Sequence, residues 1–215
     1  MTVALDGSHF HRNVRVSHTI QAVTVYCSSS SMLAPIYFDA AREMGRAIAA
    51  ENWALVYGGG STGLMGAVAD AVADAKGKVI GIMPKSIMVR EIHRAGCDEF
   101  LITECMRTRK AALENRGDAF VALPGGLGTF EEIFEIIVGR QLNTHAKPVV
   151  LLNTNQYWEP LRAMVQQGID QHFIKPDAHN YFHLAPTVPE VISYIRDFVP
   201  APADDKWFEM QTTKN

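Results

Sequence analysis

The sequence has few cysteines and no long apolar run. Both features limit the classes of protein to which the chain can belong. Only three cysteines, Cys27, Cys97 and Cys105, occur among 215 residues. An odd count without CxxC or Cys/His spacing predicts neither a disulfide framework nor a structural zinc site. No run of about 18 residues is uniformly apolar, and residues 1–21 lack a stretch of the signal-peptide type, so we expect neither a membrane span nor export. These features predict a cytoplasmic protein with reduced thiols.

Excess charge of either sign is also missing. The formal net charge is −3, from 20 Lys+Arg against 23 Asp+Glu, which disfavours nucleic acid as the main partner but leaves a local basic pocket open. No His/Asp/Glu cluster has metal-ligand spacing, and no motif implies a cofactor, so we expect neither. A composition of 47% apolar residues suits one globular unit. We expect a disordered leader at residues 1–20, a single domain at 21–199 and a loose tail at 200–215.

Short β-rich apolar runs alternate with longer segments of helical period. Strands are predicted at 22–26, 54–57, 79–83, 119–123 and 148–152, with a short edge strand at 181–184. Helices are predicted at 35–51, 64–75, 106–115, 130–142, 158–172 and 189–198. This alternation predicts an α/β fold with a Rossmann-like, doubly wound, mostly parallel sheet and helices on both faces. In such a fold the ligand binds beyond the carboxyl ends of the strands.

A first glycine-rich turn, GGGSTG from Gly58 to Gly63, connects a predicted strand to a predicted helix. Glycine lets a ligand approach the backbone closely, and the first amides of a helix attract anions. The turn is not a Walker A loop, since no Gly-Lys-Ser/Thr follows. We predict phosphate binding by Gly59, Gly60, Ser61, Thr62 and Gly63, with tight packing of strand on helix as the alternative.

A second turn, PGGLGT from Pro124 to Thr129, has the same position between strand and helix. Thr129 is predicted to be the helix N-cap. Glu131 and Glu132 would then lie in the first helical turn, where carboxylates also simply complement the helix dipole. Because packing alone seldom requires glycines at two equivalent turns, the pair favours binding of a phosphate or a sugar phosphate.

Three cations, Arg107, Arg109 and Lys110, open the helix predicted between the two turns. The positive end of the helix dipole disfavours cations there, so the cluster indicates an anionic partner, with solvated surface charge as the alternative. Glu91 follows the strand at 79–83 and is predicted at the same sheet edge as both turns. For Glu91 a functional role and a plain loop position stay equally open.

The segment from Pro124 to Glu132 reads PGGLGTFEE and resembles the PGGxGTxxE motif of the LONELY GUY family, the cytokinin-activating phosphoribohydrolases. The resemblance extends from residue 23 to about residue 176 and includes the first glycine turn. It implies a Rossmann-like homodimer that hydrolyses the N-glycosidic bond of a nucleoside 5′-monophosphate, a cytokinin riboside 5′-monophosphate or AMP, to free base and ribose 5-phosphate. Related sequences also carry the label of possible lysine decarboxylases, but no motif here supplies a pyridoxal site.

By motif position, the resemblance implies that Arg109 and Glu132 are the catalytic pair. It implies substrate contacts for Glu91, Lys110, Gly125, Gly126, Leu127, Gly128, Thr129, Phe130 and Glu131. Relatives commonly have Cys-Gly-Ser-Ser where this chain has Cys-Ser-Ser-Ser at residues 27–30. The competing interpretation is a non-catalytic carrier of nucleotide or molybdenum cofactor with the same fold, and a pure scaffold would leave both turns unexplained.

Overall fold

A computed structural model describes residues 19–88 and 94–200 of the chain. Glu91 and nearly all of the predicted leader and tail lie outside the described residues, so those expectations remain predictions. The described residues form seven strands: β1 (Ala22–Tyr26), β2 (Ala54–Tyr57), β3 (Val79–Pro84), β4 (Glu99–Thr103), β5 (Ala119–Ala122), β6 (Val149–Leu152) and β7 (His183–Ala185). They form one sheet in the order β4-β3-β2-β1-β5-β6-β7.

Every strand pair in this sheet is parallel. The connections are α1 (Pro35–Ala50), α2 (Gly63–Asp74), the short α3 (Lys85–Met88), α4 (Met106–Arg116), α5 (Leu127–Gln141), α6 (Glu159–Asp170) and α7 (Val188–Asp197). Two 3-10 turns lie at Thr154–Gln156 and Pro176–Asn180. This is the predicted doubly wound α/β fold.

The alternation of side chains along β1 divides the core into two layers. Val23 and Val25 pack with α1, α2 and α7 on one face of the sheet. Ala22 and Tyr26 pack with α4, α5 and α6 on the other face. Because side chains alternate along a strand and both faces carry helices, the central strands are almost entirely apolar, and the buried Thr24 of β1 donates its hydroxyl to the Leu113 carbonyl.

Local signals explain where the first helix begins and ends. Pro35 occupies its first turn, where a missing N–H costs nothing, and buried Met44 and Ile48 face the core one turn apart. The helix ends before Asn52, whose φ of 59° lies in the left-handed region that asparagine tolerates.

Several elements differ from the sequence-based prediction. The short helix α3 was not predicted, and β7 lies at His183–Ala185 where an edge strand was predicted at 181–184. The strand β4 was not predicted, because its half-exposed position at the sheet edge leaves a short, mixed pattern. The helix α5 begins at Leu127, three residues before the predicted start, since Gly126 rather than Thr129 is the N-cap. In the described part of the chain, no helix is long and apolar enough to cross a membrane.

Candidate active site

The sheet has one point where connections diverge, between β1 and β5. From β1 the chain proceeds outward through β2, β3 and β4, whereas β5 is followed by β6 and β7 on the other side. Ligands of open α/β sheets bind outside the carboxyl ends of the strands at this kind of point. A cleft of about 490 Å³ lies here. Its polar side is formed by Cys27, Ser28, Ser29, Ser30, Gly58, Arg109, Gly126, Gly128, Thr129, Glu131 and Glu132.

The rest of the cleft lining is apolar. It is formed by Met65, Met83, Pro84, Ile87, Met106 and Leu127. Methionine side chains are flexible and polarizable, so they fit apolar or aromatic groups of varied shape. A cleft lined by both polar and apolar groups suits a ligand that joins a base to a sugar phosphate.

A buried ion pair joins two helices at the polar side. Arg109 of α4 donates through Nη1 to Oε1 of Glu132 in α5 at 2.8 Å, and the two side chains are only 11% and 13% exposed. Arg109 also donates through Nε to the Ile82 carbonyl at 3.2 Å. These two bonds fix the plane of the guanidinium beside the cleft. The two predicted catalytic residues are therefore in direct contact.

The approach of Arg109 to the backbone requires a glycine. A Cβ on Gly58 would lie 2.4 Å from Arg109 Nη2, closer than any side chain allows. This glycine of the first turn thus makes room for the guanidinium. It was predicted as part of a strand-to-helix turn. Its contact with Arg109 joins residues far apart in the sequence, so no local sequence pattern indicates it.

Burial controls the protonation of groups at the cleft. Burial raises the pKa of Glu132, and the neighbouring Arg109 guanidinium opposes that rise. Burial also raises the pKa of the Cys27 thiol, with a further contribution from Glu132, so this thiol stays protonated at neutral pH. The cleft therefore contains a carboxylate that is easier to protonate than an ordinary glutamate, and no thiolate at Cys27.

A second set of ion pairs joins the same two helices. Lys110 of α4 pairs with Glu131, and with Glu135 at 2.8 Å, both on α5. These hydrogen bonds raise the pKa of Lys110. The cation cluster at the start of α4 thus finds carboxylates of α5 as partners for Arg109 and Lys110. Lys110 does not line the cleft, and its predicted substrate contact stays a prediction.

The second glycine turn leads into α5, and the start of this helix lines the cleft. Thr129 was predicted as the N-cap, which is wrong: it lies inside α5 and is buried, and a Cβ on Gly125 would be 2.1 Å from its Oγ1. Glu131 and Glu132 consequently lie beyond the first turn, where complementing the helix dipole no longer explains them. A Cβ on Gly126 or Gly128 would meet no atom within 4 Å, so the space above both glycines is open.

Most of the first glycine turn lies away from this cleft. Gly58 lines it, whereas Gly59, Gly60, Ser61, Thr62 and Gly63 are not among the lining residues. Gly63 has a φ of 59°, and its Cβ would be 2.4 Å from the Ser29 carbonyl carbon, so it allows this turn to pack against the loop after β1. Ser61 and Gly63 line a separate groove between α1 and α2. Phosphate binding by these five residues stays a prediction.

Phe130, another predicted contact, packs away from the cleft. Its ring lies 5.6 Å from Trp158 and 6.5 Å from Tyr157, centroid to centroid. The serines after β1 were not predicted as site residues, although their place at a strand end was a usable signal. Tyr157, which donates to the Gly125 carbonyl from another element, was not predicted either. No three His, Cys, Asp or Glu side chains in the described ranges are grouped to hold a metal ion.

A doubly wound parallel sheet with a glycine turn and an acid–arginine pair at its divergence point defines a Rossmann-like ligand-binding protein. Comparisons with known proteins are more specific. The family model described as possible lysine decarboxylase matches residues 65–195. A probable cytokinin riboside 5′-monophosphate phosphoribohydrolase of Oryza sativa subsp. japonica is 43% identical over 185 residues, 86% of this chain and 76% of that protein. The chain belongs to this family, the LONELY GUY family.

Other relatives agree on the family and the fold. A cytokinin riboside 5′-monophosphate phosphoribohydrolase of Arabidopsis thaliana is 40% identical over 178 residues, 83% of this chain and 84% of its own. Among solved structures, the molybdenum cofactor binding protein of Rippkaea orientalis superposes with a TM-score of 0.62 at 22% identity, covering 82% of this chain and 96% of that one. The structural likeness at this identity concerns the fold alone.

Proposed function

We propose that this protein hydrolyses the N-glycosidic bond of a nucleoside 5′-monophosphate, a cytokinin riboside 5′-monophosphate or AMP, to free base and ribose 5-phosphate. The observation that carries the proposal is the buried contact of Arg109 with Glu132 at the cleft. The relatives that are 40–43% identical have names that describe this hydrolysis. A cofactor carrier has no evident need for a buried carboxylate next to the sugar.

In the proposed reaction, water adds to the anomeric carbon of the ribose while the bond to the base nitrogen breaks with its electron pair. Positive charge develops on the ribose ring and negative charge on the base. Glu132 accepts hydrogen bonds from ribose hydroxyls, stabilises the oxocarbenium-like state and orients the water, as carboxylates do in glycoside hydrolysis. The departing base gains a proton, and the water loses one.

Arg109 positions the substrate or neutralises the charge that develops on the leaving group. A guanidinium stays protonated at ordinary pH, so it acts here through charge and hydrogen bonds rather than as a proton donor. Its bonds to Glu132 and Ile82 hold it in place before substrate binds, which avoids reorganisation during the reaction.

This proposal assigns the 5′-phosphate to the start of α5 rather than to residues 59–63 of the first glycine turn, because those five residues do not line the cleft. The first amides of a helix have no acceptor within the helix, and they attract anions. Gly126 and Gly128 leave open space there, and the Ser28 and Ser29 residues face the same cleft. The base would then lie against the methionines Met65, Met83 and Met106, where adenine or an N6-prenylated adenine finds apolar contacts.

The homodimer and the cytoplasmic location belong to the same proposal. The apolar residues of α5 mostly pack against the sheet, but Val138 on this helix and Leu142 directly after it remain 43% and 54% exposed and are available for a partner chain. Light scattering at the mass of a single chain would overturn the dimer. The cytoplasmic location is inferred from the three cysteines, whose odd number and spacing do not suggest a disulfide framework.

The test is to incubate the purified protein separately with AMP and isopentenyladenosine 5′-monophosphate and to follow free base by chromatography. We expect release from at least one nucleotide, and a kcat/KM for adenosine about a hundredfold lower than for AMP, because two lost hydrogen bonds to a charged phosphate have that effect. Binding without base release from either nucleotide would favour the carrier interpretation. Equal rates for adenosine and AMP would contradict the phosphate site.

A further inference from the structure

Tyr157 reaches the second glycine turn from a neighbouring strand. It follows β6, which pairs with β5, and its hydroxyl donates to the Gly125 carbonyl at 2.5 Å. Burial raises the pKa of Tyr157, so its phenol stays protonated and remains a donor. The hydroxyl contacts the backbone of the turn without lining the cleft itself.

Three separate donors form hydrogen bonds to successive carbonyls of the second glycine turn. The Pro124 carbonyl accepts from the Ser28 amide at 3.3 Å, and the Gly126 carbonyl accepts from the Phe130 amide at 3.0 Å. Tyr157 holds the Gly125 carbonyl between them. In a planar trans peptide the N–H points opposite to the C=O, so fixing the Gly125 carbonyl also fixes the direction of the Gly126 amide. That amide is directed away from Tyr157, and Gly126 lines the cleft.

The segment that presents Tyr157 is itself tightly constrained. Asn153 accepts the Trp158 amide at 2.8 Å and donates to Glu159 at 2.8 Å, which closes the loop around Tyr157. Asn155 and Gln156 have φ values of 53° and 60°, in the left-handed region that costs non-glycine residues stability. Backbone strain of this kind persists only where the surroundings fix the conformation, and it often lies at functional sites.

Aromatic contacts hold the ring independently of its hydroxyl. The Tyr157 ring meets Trp158 edge to face at 5.2 Å and Tyr37 at 6.3 Å between centroids. A phenylalanine would keep these contacts, because they involve only the ring. The hydroxyl is therefore separable from the packing.

We propose that Tyr157 is a positioning residue whose hydroxyl orients the Gly125–Gly126 peptide so that the Gly126 amide faces the 5′-phosphate of the substrate. This inference rests on the proposed function for the identity of the phosphate. The hydroxyl acts through the backbone of the turn. Its removal should therefore weaken binding of the sugar phosphate without affecting binding of the base.

The experiment compares the full chain with Tyr157→Phe by calorimetric titration of ribose 5-phosphate and, separately, adenine. We expect the Kd for ribose 5-phosphate to rise about five- to tenfold, the size of one lost hydrogen bond, with the Kd for adenine unchanged. Tyr37→Phe is the matched control: it removes the neighbouring hydroxyl, which accepts from Asn155 at 3.4 Å, and keeps the ring. Both dissociation constants should stay unchanged in this variant.

Three results would overturn the inference. They are an unchanged Kd for ribose 5-phosphate in Tyr157→Phe, equal rises for both ligands, and no binding of ribose 5-phosphate to the unmodified protein. Because these titrations need no turnover, they are distinguishable from failure of the proposed function, which appears as absence of base release in the chromatographic assay.

Discussion

Replacing Glu132 with glutamine isolates the contribution of one negative charge. The amide oxygen of Glu132→Gln can still accept from Arg109, which the Ile82 carbonyl also holds. The variant therefore keeps the shape of the site and removes the carboxylate. Glu132→Ala is a poorer choice, because it leaves the buried charge of Arg109 with only the Ile82 carbonyl and no carboxylate, and breaking a buried ion pair in this way typically costs about 3–5 kcal/mol of stability.

The expected loss follows from the distance at which this carboxylate acts. A charge in hydrogen-bond reach of the ribose lies about 4 Å from the developing cation, and at an effective dielectric of about 20 the attraction is roughly 4 kcal/mol. Each 1.36 kcal/mol corresponds to about tenfold in rate, so a full unit charge gives about a thousandfold. Since the cation is only partly formed at the transition state, we expect kcat to fall by about 10²- to 10³-fold.

The assay measures kcat by release of free base and, independently, the Kd of AMP by calorimetry. We expect the affinity for AMP to change less than about fivefold, because the charge acts mainly in the transition state. Glu135→Gln is the control, since Glu135 lies one turn further along α5 and pairs with Lys110 at the surface. Equal losses in kcat and AMP affinity for Glu132→Gln would refute the assigned role.

Two further predictions concern the same pair. Gly58→Ala places a methyl group 2.4 Å from Arg109 Nη2 and must displace the guanidinium, so we expect kcat/KM to fall about a hundredfold; wild-type kinetics in this variant would show that the guanidinium position is unimportant. Burial raises the pKa of Glu132, so kcat/KM, which follows the ionisation of the free enzyme, should decline as pH falls through a value above the ordinary glutamate pKa. This carboxyl's contribution to stability falls as pH rises from the ordinary glutamate pKa through the raised one, because the folded state holds the proton more tightly. An acid limb at the ordinary glutamate pKa would contradict this assignment.

Much of the fold could be predicted because the central strands and their helices have strong periodic signals. Strands such as Ala22–Tyr26 and Val149–Leu152 are buried on both faces and read as continuous or nearly continuous apolar runs. The edge strand Glu99–Thr103 is half exposed and was missed. The start of α5 was placed too late, because glycines were assigned to the turn although Gly128 lies in the helix.

The candidate site could be predicted only where its residues share a motif. Arg109 and Glu132 were singled out from local sequence and from the family resemblance, and the fold brings them together. The contact between Gly58 and Arg109 joins residues that are far apart in sequence, and so does the bond from Tyr157 to Gly125. Such long-range contacts depend on the order of strands in the sheet, which residue spacing does not encode.

The polar side of the cleft has one further consequence. Among the described residues that line it, the charged side chains are Arg109, Glu131 and Glu132, so the walls supply no surplus of positive charge. A phosphate held there depends on the direction of main-chain amides. Because most substitutions leave the main chain in place, recognition of the phosphate can persist through long sequence divergence. The cleft methionines Met65, Met83 and Met106 can meanwhile be replaced as the base changes.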